Sequence, residues 1–318
     1  MNFQQLRSVR EAVRHAFNLT SVAKALHTSQ PGVSRQIREL EEELGVDIFV
    51  RAGKRVIGLT QPGEAVLPII ERMLQEADNL RRAGEDFAAQ GRGTLVIAAT
   101  HSQARYALPP AVRDFSVMHP EVSLRLQQGS PKQVAELLLS GEADIGVATE
   151  ALTEYAGLVA LPSYQWTHVV IVPTGHPLAV DAAKGLALTL ERLAEFPIIT
   201  YEPGFTGRSH IDEAFRRRQL GFNLVLSAMD ADVIKTYVEL GMGVGIIAGI
   251  AYDDARDAAL YAIDARHLFE SNMTRLAVRH GTYLRGYMFD FIQTFASPLT
   301  RAVVERALTA PPGTPISI

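Results

Sequence analysis

The run from Leu19 to Gly45 limits the fold more than any other part of the chain, because its apolar residues keep helical spacing and its ends are marked. Val33, Ile37, Leu40 and Leu44 recur at intervals of four, three and four, which places them on one buried stripe of a helix. Gln30, Ser34, Arg35 and Arg38 fall on the opposite face. Thr28 or Ser29 supplies an N-cap, Pro31 is tolerated in a first turn whose amides lack intrahelical partners, and Gly45 offers a left-handed stop. A shorter helix, capped near Thr20 and burying Val22, Ala23 and Leu26, precedes it across the turn His27-Thr28-Ser29. Two helices joined this tightly, the second with a polar face, make the arrangement that enters a DNA groove. Amphipathic helix pairs without that role are also common, and periodicity alone leaves both readings open.

The segment after Gly45 extends the same unit. Val46 to Val50 reads as a short strand, Ala52-Gly53-Lys54 as a turn and Arg55 to Leu59 as a return strand, a wing with Arg51, Lys54 and Arg55 at its tip. Such cations reach backbone phosphates or a minor groove, although an ordinary solvated hairpin has the same sequence pattern. Thr60 then caps a long helix beginning near Pro62, with Val66, Ile70, Met73, Ala77 and Leu80 spaced as a heptad seam suited to pairing with a second copy. Gly84 and the segment 89–93 are expected to end that helix and form a hinge.

Charge supports the division. The whole chain carries a net charge of -4, yet residues 1–59 hold nine Lys/Arg against six Asp/Glu, so that part is +3 and the remainder is -7. A local basic excess suits phosphate contacts, and an acidic remainder limits stray nucleic-acid binding. With no cysteine, disulfides, thiolate metal sites and thiol redox sensing are all excluded. No N-terminal export signal and no apolar run of the roughly 20 residues needed to span a bilayer is found, so a cytoplasmic location without membrane contact is expected.

From Thr94 the texture changes. Leu95 to Ala99, Val122 to Gln127 and Asp144 to Ala148 read as strands, alternating with helices at Ala104 to Met118 and Pro131 to Ser140; this order predicts a mainly parallel sheet covered on both faces. Ligands of such sheets bind beyond the carboxyl ends of the strands. One strand ends at Thr100-His101-Ser102-Gln103, where a helix starts, and another at Thr149-Glu150 on the same edge. Hydroxyls, an amide and free main-chain amides there suit a small anion; plain helix capping is the competing reading of Thr100 and Ser102. A second lobe repeats the pattern with strands at Trp166 to Val172, Pro197 to Tyr201, Leu224 to Ala228, Gly245 to Gly249 and Thr274 to Arg279. Its helices are Arg208 to Gln219, Ala231 to Leu240, capped by Asp230, and Leu284 to Phe295. Gly241-Met-Gly-Val-Gly245 follows a helix and precedes a strand, the reverse of a dinucleotide fingerprint. No nucleophile elbow, Walker A loop or H-E-x-x-H helix occurs, and the nine histidines show no metal-ligand spacing, so no enzyme, metal or cofactor is expected. The tail 310–315 reads as a loose end.

The run Thr28-Ser-Gln-Pro-Gly-Val-Ser-Arg-Gln-Ile-Arg38, followed by Leu40-Glu41, Leu44-Gly45 and Phe49-Val-Arg51, resembles the N-terminal domain of LysR-type transcriptional regulators. Thr100 to Pro109, Gln128 to Pro131, Ala148 to Ala151, Gly204 to Ser209 and Asp230 to Val238 resemble the CysB group of that family, and the similarity runs to about Thr300. The resemblance implies an α+β chain: a winged helix-turn-helix at 1–59, a dimerising linker helix at 60–90 and an effector-binding domain at 91–318. Two α/β lobes of periplasmic-binding-protein type, about 91–163 with 268–300 and about 164–267, would enclose a cleft. It implies a homotetrameric regulator of sulfur assimilation and cysteine synthesis that binds two-fold related DNA sites, with RNA polymerase as a further partner. Ser29, Gln30, Pro31, Ser34, Arg35, Arg38, Arg51, Lys54 and Arg55 would face DNA. Thr100, Ser102, Gln103, Thr149, Glu150, Glu202, Phe205 and Thr206 would face an effector such as O-acetylserine, N-acetylserine, sulfate or thiosulfate. Ser102 stands where the group usually has threonine, which keeps the hydroxyl. Glu202 departs further: a carboxylate there repels sulfate, so it either faces solvent or meets the ammonium of an amino-acid effector. A Cbl-type regulator of organosulfur use shares these phrases, and a two-lobed solute-binding protein is the alternative outside the family.

Overall fold

A buried carboxylate sets the geometry of the N-terminal part. Glu41 accepts hydrogen bonds from the main-chain amides of Ile48 (2.9 Å) and Phe49 (3.1 Å), and its second oxygen takes the Arg51 guanidinium at 2.9 Å. It thereby ties the end of one helix to the hairpin after it. The computed structural model describes residues 1–53, 55–88, 91–205 and 207–310, apart from the side chain of Glu150. Lys54, Thr206, residues 89–90 of the expected hinge segment 89–93 and the tail from 311 onward lie outside the described residues. The chain divides into two units, Met1–Ala88 and Ala89–Ile318.

The first unit runs α1 (Phe3–Arg14), α2 (Leu19–Ala25), α3 (Gln30–Leu44), β1 (Phe49–Ala52), β2 (Arg55–Leu59) and α4 (Gln61–Ala88). Asn2 and Gln5 form a capping box that starts α1. Asn18, not Thr20, caps α2: Ala16 and Phe17 turn through left-handed backbone and leave the Asn18 side chain to accept from Thr20 and Ser21. Ser29 caps α3 and Gly45, at φ 69°, stops it. Val33, Ile37 and Leu40 are buried with Leu6, Val9, Val22, Phe49 and Val56 in one core, which the edge-on pair Phe17–Phe49 closes at 6.1 Å. Strand pairing begins at Phe49 instead of Val46, because the amides of Ile48 and Phe49 are spent on Glu41. A side chain at Gly63 would collide with the Ile48 carbonyl, so only glycine lets α4 leave the hairpin at this angle. The helix α4 passes through Gly84, contrary to expectation; one glycine costs only about 1 kcal/mol in a helix otherwise rich in good formers. Ile70 and Leu74 join the unit's own core, while Ile69, Met73, Leu80 and Phe87 form an exposed stripe at intervals of four, seven and seven.

In the second unit, β3 (Gly93–Ala99), α5 (Leu108–Met118), β4 (Val122–Gln128), α6 (Pro131–Ser140), β5 (Ile145–Ala148) and β6 (Leu158–Trp166) build most of a first lobe. The chain then adds β7 (His168–Pro173), α7 (Pro177–Ala183), α8 (Leu190–Ala194), β8 (Ile198–Tyr201), α9 (Arg208–Arg217), β9 (Leu224–Ala228), α10 (Ala231–Glu239), β10 (Val244–Ala248) and β11 (Leu260–Asp264) as a second lobe. It returns through β12 (Asn272–Arg279), α11 (Gly286–Phe295) and α12 (Arg301–Thr309). The sheets have strand orders β4-β3-β5-β12-β6 and β11-β7-β10-β8-β9. In the first, β3 pairs in parallel with β4 and β5 while β12 runs antiparallel to β5 and β6; in the second, β8 pairs in parallel with β9 and β10 while β7 is antiparallel to β10 and β11. Alternate residues serve separate cores, as with Val170 and Val172 against Ile171, which is the signature of sheets covered on both faces. The expected single strand over Trp166 to Val172 is two strands, because at Thr167 the chain crosses between lobes and gives its carbonyl to the Gly249 amide at 2.8 Å.

Glu41→Ala leaves two buried amides without an acceptor, so it should lower the stability of the N-terminal unit by about 2 to 4 kcal/mol. Urea unfolding followed through that unit measures this, and a change under about 0.5 kcal/mol would contradict the role given to Glu41.

Candidate functional site

On α3 the apolar stripe fixes which residues face outward. Ser29, Gln30, Pro31, Arg35 and Arg38 are exposed and Ser34 is half-buried, so the predicted polar face exists as one surface. Arg35 pairs along the helix with Glu39 at 2.7 Å, and the hydrogen bonds from Arg35 and then Gln5 hold the Glu39 carboxyl below its ordinary range. An exposed pair of this kind contributes little and gives way readily when a phosphate or base edge arrives. Arg38 has no ion pair among the described residues. The hairpin is different from expectation in one respect: Arg51 turns inward to Glu41 and positions the strand, leaving Arg55 exposed near the turn at Gly53.

In the second unit, β3 and β5 deliver two hydroxyl residues side by side. The Thr100 amide donates to the Val147 carbonyl at 3.2 Å, and Thr100 and Thr149 sit at adjoining strand ends, both buried. Thr149 precedes a short turn, Glu150–Glu154, without capping it through its side chain. Ser102 and Gln103 are fully buried where the chain becomes helical. Over Gln103–Ala107 the helix widens to a π turn, with the Leu108 amide reaching back to the Gln103 carbonyl. Pro109 and Pro110 come next; they lack amide hydrogens and crowd the preceding turn, which the wider winding relieves. Gln103 is committed within its own lobe: Nε2 donates to Thr274 at 3.1 Å, and Oε1 accepts from Tyr164 at 2.6 Å.

Several buried polar atoms here have no hydrogen-bond partner. Burial pushes the Tyr201 phenol upward, against the Ala248 amide and then the neighbouring Ser102 hydroxyl, which has no hydrogen-bond partner of its own. Trp166 Nε1 and both amide atoms of Asn272 are likewise orphaned. Trp166 and Asn272 face each other across β6 and β12, two rungs beyond the pair Tyr164–Thr274 that holds Gln103, so side-chain alternation puts all four on the face that Gln103 covers. A buried unpaired group costs about 1 to 3 kcal/mol, and a cluster of them marks a place where a ligand or ordered water restores the loss. Sequence reading missed Trp166 and Asn272 because their signal is pairing between strands far apart in the chain. The buried cations nearby are already matched: Arg208 to Asp212 at 2.7 Å and to the Tyr201 carbonyl, and Lys235 to Asp257 at 2.9 Å. Ser102, Trp166 and Asn272, the unpaired groups named above, are all neutral.

From the second lobe come Tyr201, Glu202 and Phe205. Glu202 is half-buried, its amide bonded to the Ala228 carbonyl, and its carboxylate has no partner among the described residues. Phe205 and Tyr106 pack against the core that holds Tyr201. A bridge between lobes centres on Asp232: Tyr106 Oη donates at 2.6 Å, Arg105 Nε lies at 3.3 Å and His101 Nε2 at 3.5 Å. Burial pushes the Asp232 carboxyl up, but Tyr106, His101, Lys235 and Arg105 together hold it below its ordinary value. His101, Asp230 and Asp232 have the spacing of a metal cluster, with ligand atoms within 4.8 Å. Arg105 and Lys235 already provide the compensating charge, and Asp230 is occupied in capping α10 through Val233.

A model of the LysR substrate binding domain matches residues 88–298, and one of the bacterial regulatory helix-turn-helix protein, lysR family, matches residues 3–64. The HTH-type transcriptional regulator SsuR of Burkholderia cenocepacia is 57% identical, over 96% of this chain and 97% of its own. The HTH-type transcriptional regulator CysB of the same species is 53% identical over 97% of both chains. The crystal structure of the cofactor-binding domain of the Cbl transcriptional regulator superposes with a TM-score of 0.65 at 43% identity, covering 69% of this chain and 95% of that one.

Asp232→Asn weakens the bridge between lobes. Amides of residues 101–106 should then exchange about tenfold faster, a change of about 1.4 kcal/mol. Since the folded pKa of Asp232 is lowered, its contribution is complete above the unfolded carboxyl range near about pH 4 and is lost as pH falls through the folded value. Hydrogen exchange at neutral pH reads the mutant directly, and unchanged rates would remove Asp232 from the bridge.

Proposed function

The chain belongs to the LysR family of transcriptional regulators, and on that footing we propose that it controls genes of sulfur assimilation and cysteine synthesis in response to a small acidic effector held between the lobes of its second unit. The observation that carries the effector part is the set of neutral, buried polar atoms left unpaired beside the Thr100 and Thr149 strand ends, with Arg208 and Lys235 already engaged by carboxylates. Neutral donors bind a small anion without attracting larger polyanions, and closing the lobes around it repays the desolvation of those donors. Thr100, Ser102, Gln103, Thr149, Glu150, Glu202, Phe205 and Thr206 form the proposed effector site, and Trp166 joins them.

On the DNA side, Ser29, Gln30, Pro31, Ser34, Arg35 and Arg38 of α3 enter the major groove, while Arg55 and Lys54 of the wing reach phosphates or the minor groove. Arg51 acts mainly by holding the wing in register. The exposed stripe Ile69, Met73, Leu80 and Phe87 pairs with the same stripe of a second copy, giving a two-fold reader, and pairs of pairs make the homotetramer. The location is cytoplasmic, where the DNA is; no helix among the described residues is long and apolar enough to cross a membrane. A Cbl-type role in organosulfur use is the second reading. Glu202 favours it, since a carboxylate in the cleft suits an amine-bearing organic effector better than sulfate.

Gel shifts on promoters of sulfur genes test the proposal, with O-acetylserine, N-acetylserine, sulfate, thiosulfate and adenosine phosphosulfate as additions. Gln30→Ala or Arg35→Ala should weaken operator binding by about 1 to 3 kcal/mol, roughly fivefold to 150-fold. Operator affinity at the wild-type level in both would overturn the role of α3. Thr100→Val should abolish the effector response and keep basal DNA binding; a normal effector titration in that variant would rule out the cleft site.

A further inference from the structure

Asn272 opens β12 where the chain returns from the second lobe to the first, and its amide is fully buried with neither nitrogen nor oxygen hydrogen-bonded. An amide holds donors on one side and an acceptor on the other, so its two orphaned atoms make opposite demands. The nitrogen, the Trp166 indole N–H on the facing rung and the Ser102 hydroxyl all offer hydrogens, which an oxyanion accepts. The oxygen does the reverse. It needs an N–H or O–H, and a fully ionised tetrahedral oxyanion has none. Glu202, half-buried and without a partner among the described residues, is a second acceptor with the same demand. Turning the amide over changes nothing, since one edge still donates and the other still accepts.

The surroundings hold this amide in place. A side chain at Gly207 would collide with it and with the His168 ring, and Gly207 stands at φ 68°, so glycine allows the second-lobe backbone to lie directly against Asn272. The His168 ring is itself wedged edge-on between Trp166 at 5.2 Å and Phe269 at 5.5 Å. Asn272 is therefore buried among aromatic rings and backbone. A ligand that cannot donate leaves its oxygen dry.

We propose that Asn272 is a specificity-determining residue of the cleft, selecting an effector that joins an acidic head to an N–H donor over a bare oxyanion such as sulfate. This rests on the effector reading of the cleft. The acidic head meets Trp166, Ser102 and the Thr100 and Thr149 strand ends, and the N–H donates to Asn272 Oδ1. Discrimination comes from the acceptor that the wrong ligand strands, a mechanism stronger than the fit of one methylene.

Isothermal titration of the full chain tests it with sulfate and two matched pairs: taurine against propane-1-sulfonate, and O-acetylserine against 3-acetoxypropanoate, each pair differing in one amino group. The wild type should prefer the amine-bearing member of at least one pair by about tenfold or more. Asn272→Leu should reduce that preference to under about threefold by weakening the amine-bearing ligand alone. Asn272→Asp, almost the same shape, keeps the acceptor and loses the donors; it should retain the preference and weaken sulfate, and it decides the matter if the leucine variant does not fold. Binding by the wild type with no preference, or a preference untouched by Asn272→Leu, or an equal loss for both members in Asn272→Asp, would overturn the role of Asn272 and leave the cleft standing. Failure of all five compounds to bind the wild type would overturn the cleft reading itself, and the inference with it.

Discussion

The second unit depends on what bridges its lobes, and a carboxylate stands at the centre of the polar part of that bridge. Asp232 sits at the start of α10 in the second lobe and collects the Tyr106 hydroxyl, the Arg105 guanidinium and the His101 imidazole from the first, all on or beside the π turn that leads away from Thr100. Behind it, Lys235 is held between Asp257 and the face of Tyr106 at 5.2 Å. A change in lobe spacing must therefore move the turn that carries Ser102 and Gln103, and a ligand on Ser102 and Thr100 acts directly on the same contact. Coupling between ligand and lobe closure needs no longer path than this. The N-terminal unit uses the same economy. Glu41 gathers two amides and Arg51, so the wing follows the helix whose outer face reads DNA.

Much of this was legible in the chain because the signals were local. The stripe Val33, Ile37 and Leu40, the glycine stop at Gly45, the cap Asp230 and the alternation of strand and helix after Thr94 each depend on neighbours within a few residues. What escaped depends on distant partners. Nothing near Glu41 in sequence says that it will take the amides of Ile48 and Phe49 and delay β1 until Phe49. Arg51 reads as a wing-tip cation until Glu41 is known to face it. The end of β6 at Trp166 and the opening of β12 at Asn272 are chosen by the crossing between lobes, so the polar pair they make is invisible before the fold. Short elements such as α7, α8 and β11 lacked enough periods to declare themselves.

The candidate cleft illustrates the limit of reading donors by type. Thr100, Ser102 and Thr149 look alike as hydroxyls at strand ends, and Gln103 looks like a fourth donor. In the fold, Gln103 is spent on Thr274 and Tyr164, while Ser102, Trp166 and Asn272 retain unmet capacity. The pattern of unmet groups is a negative image of a ligand: more donors than acceptors, with Arg208 and Lys235 paired to carboxylates, and a carboxylate at Glu202 that asks for a hydrogen. That image is chemically narrower than an anion site.

If a small molecule between the lobes of the second unit changes how the first unit holds DNA, linkage requires the effect to be reciprocal. The decisive measurement is a pair of titrations on the full chain at one salt concentration: promoter DNA with and without saturating effector, and effector with and without saturating DNA. The two affinity ratios should be equal and differ from one, by about fivefold or more. Ratios of one in both directions, with each ligand binding well alone, would contradict regulation through the cleft.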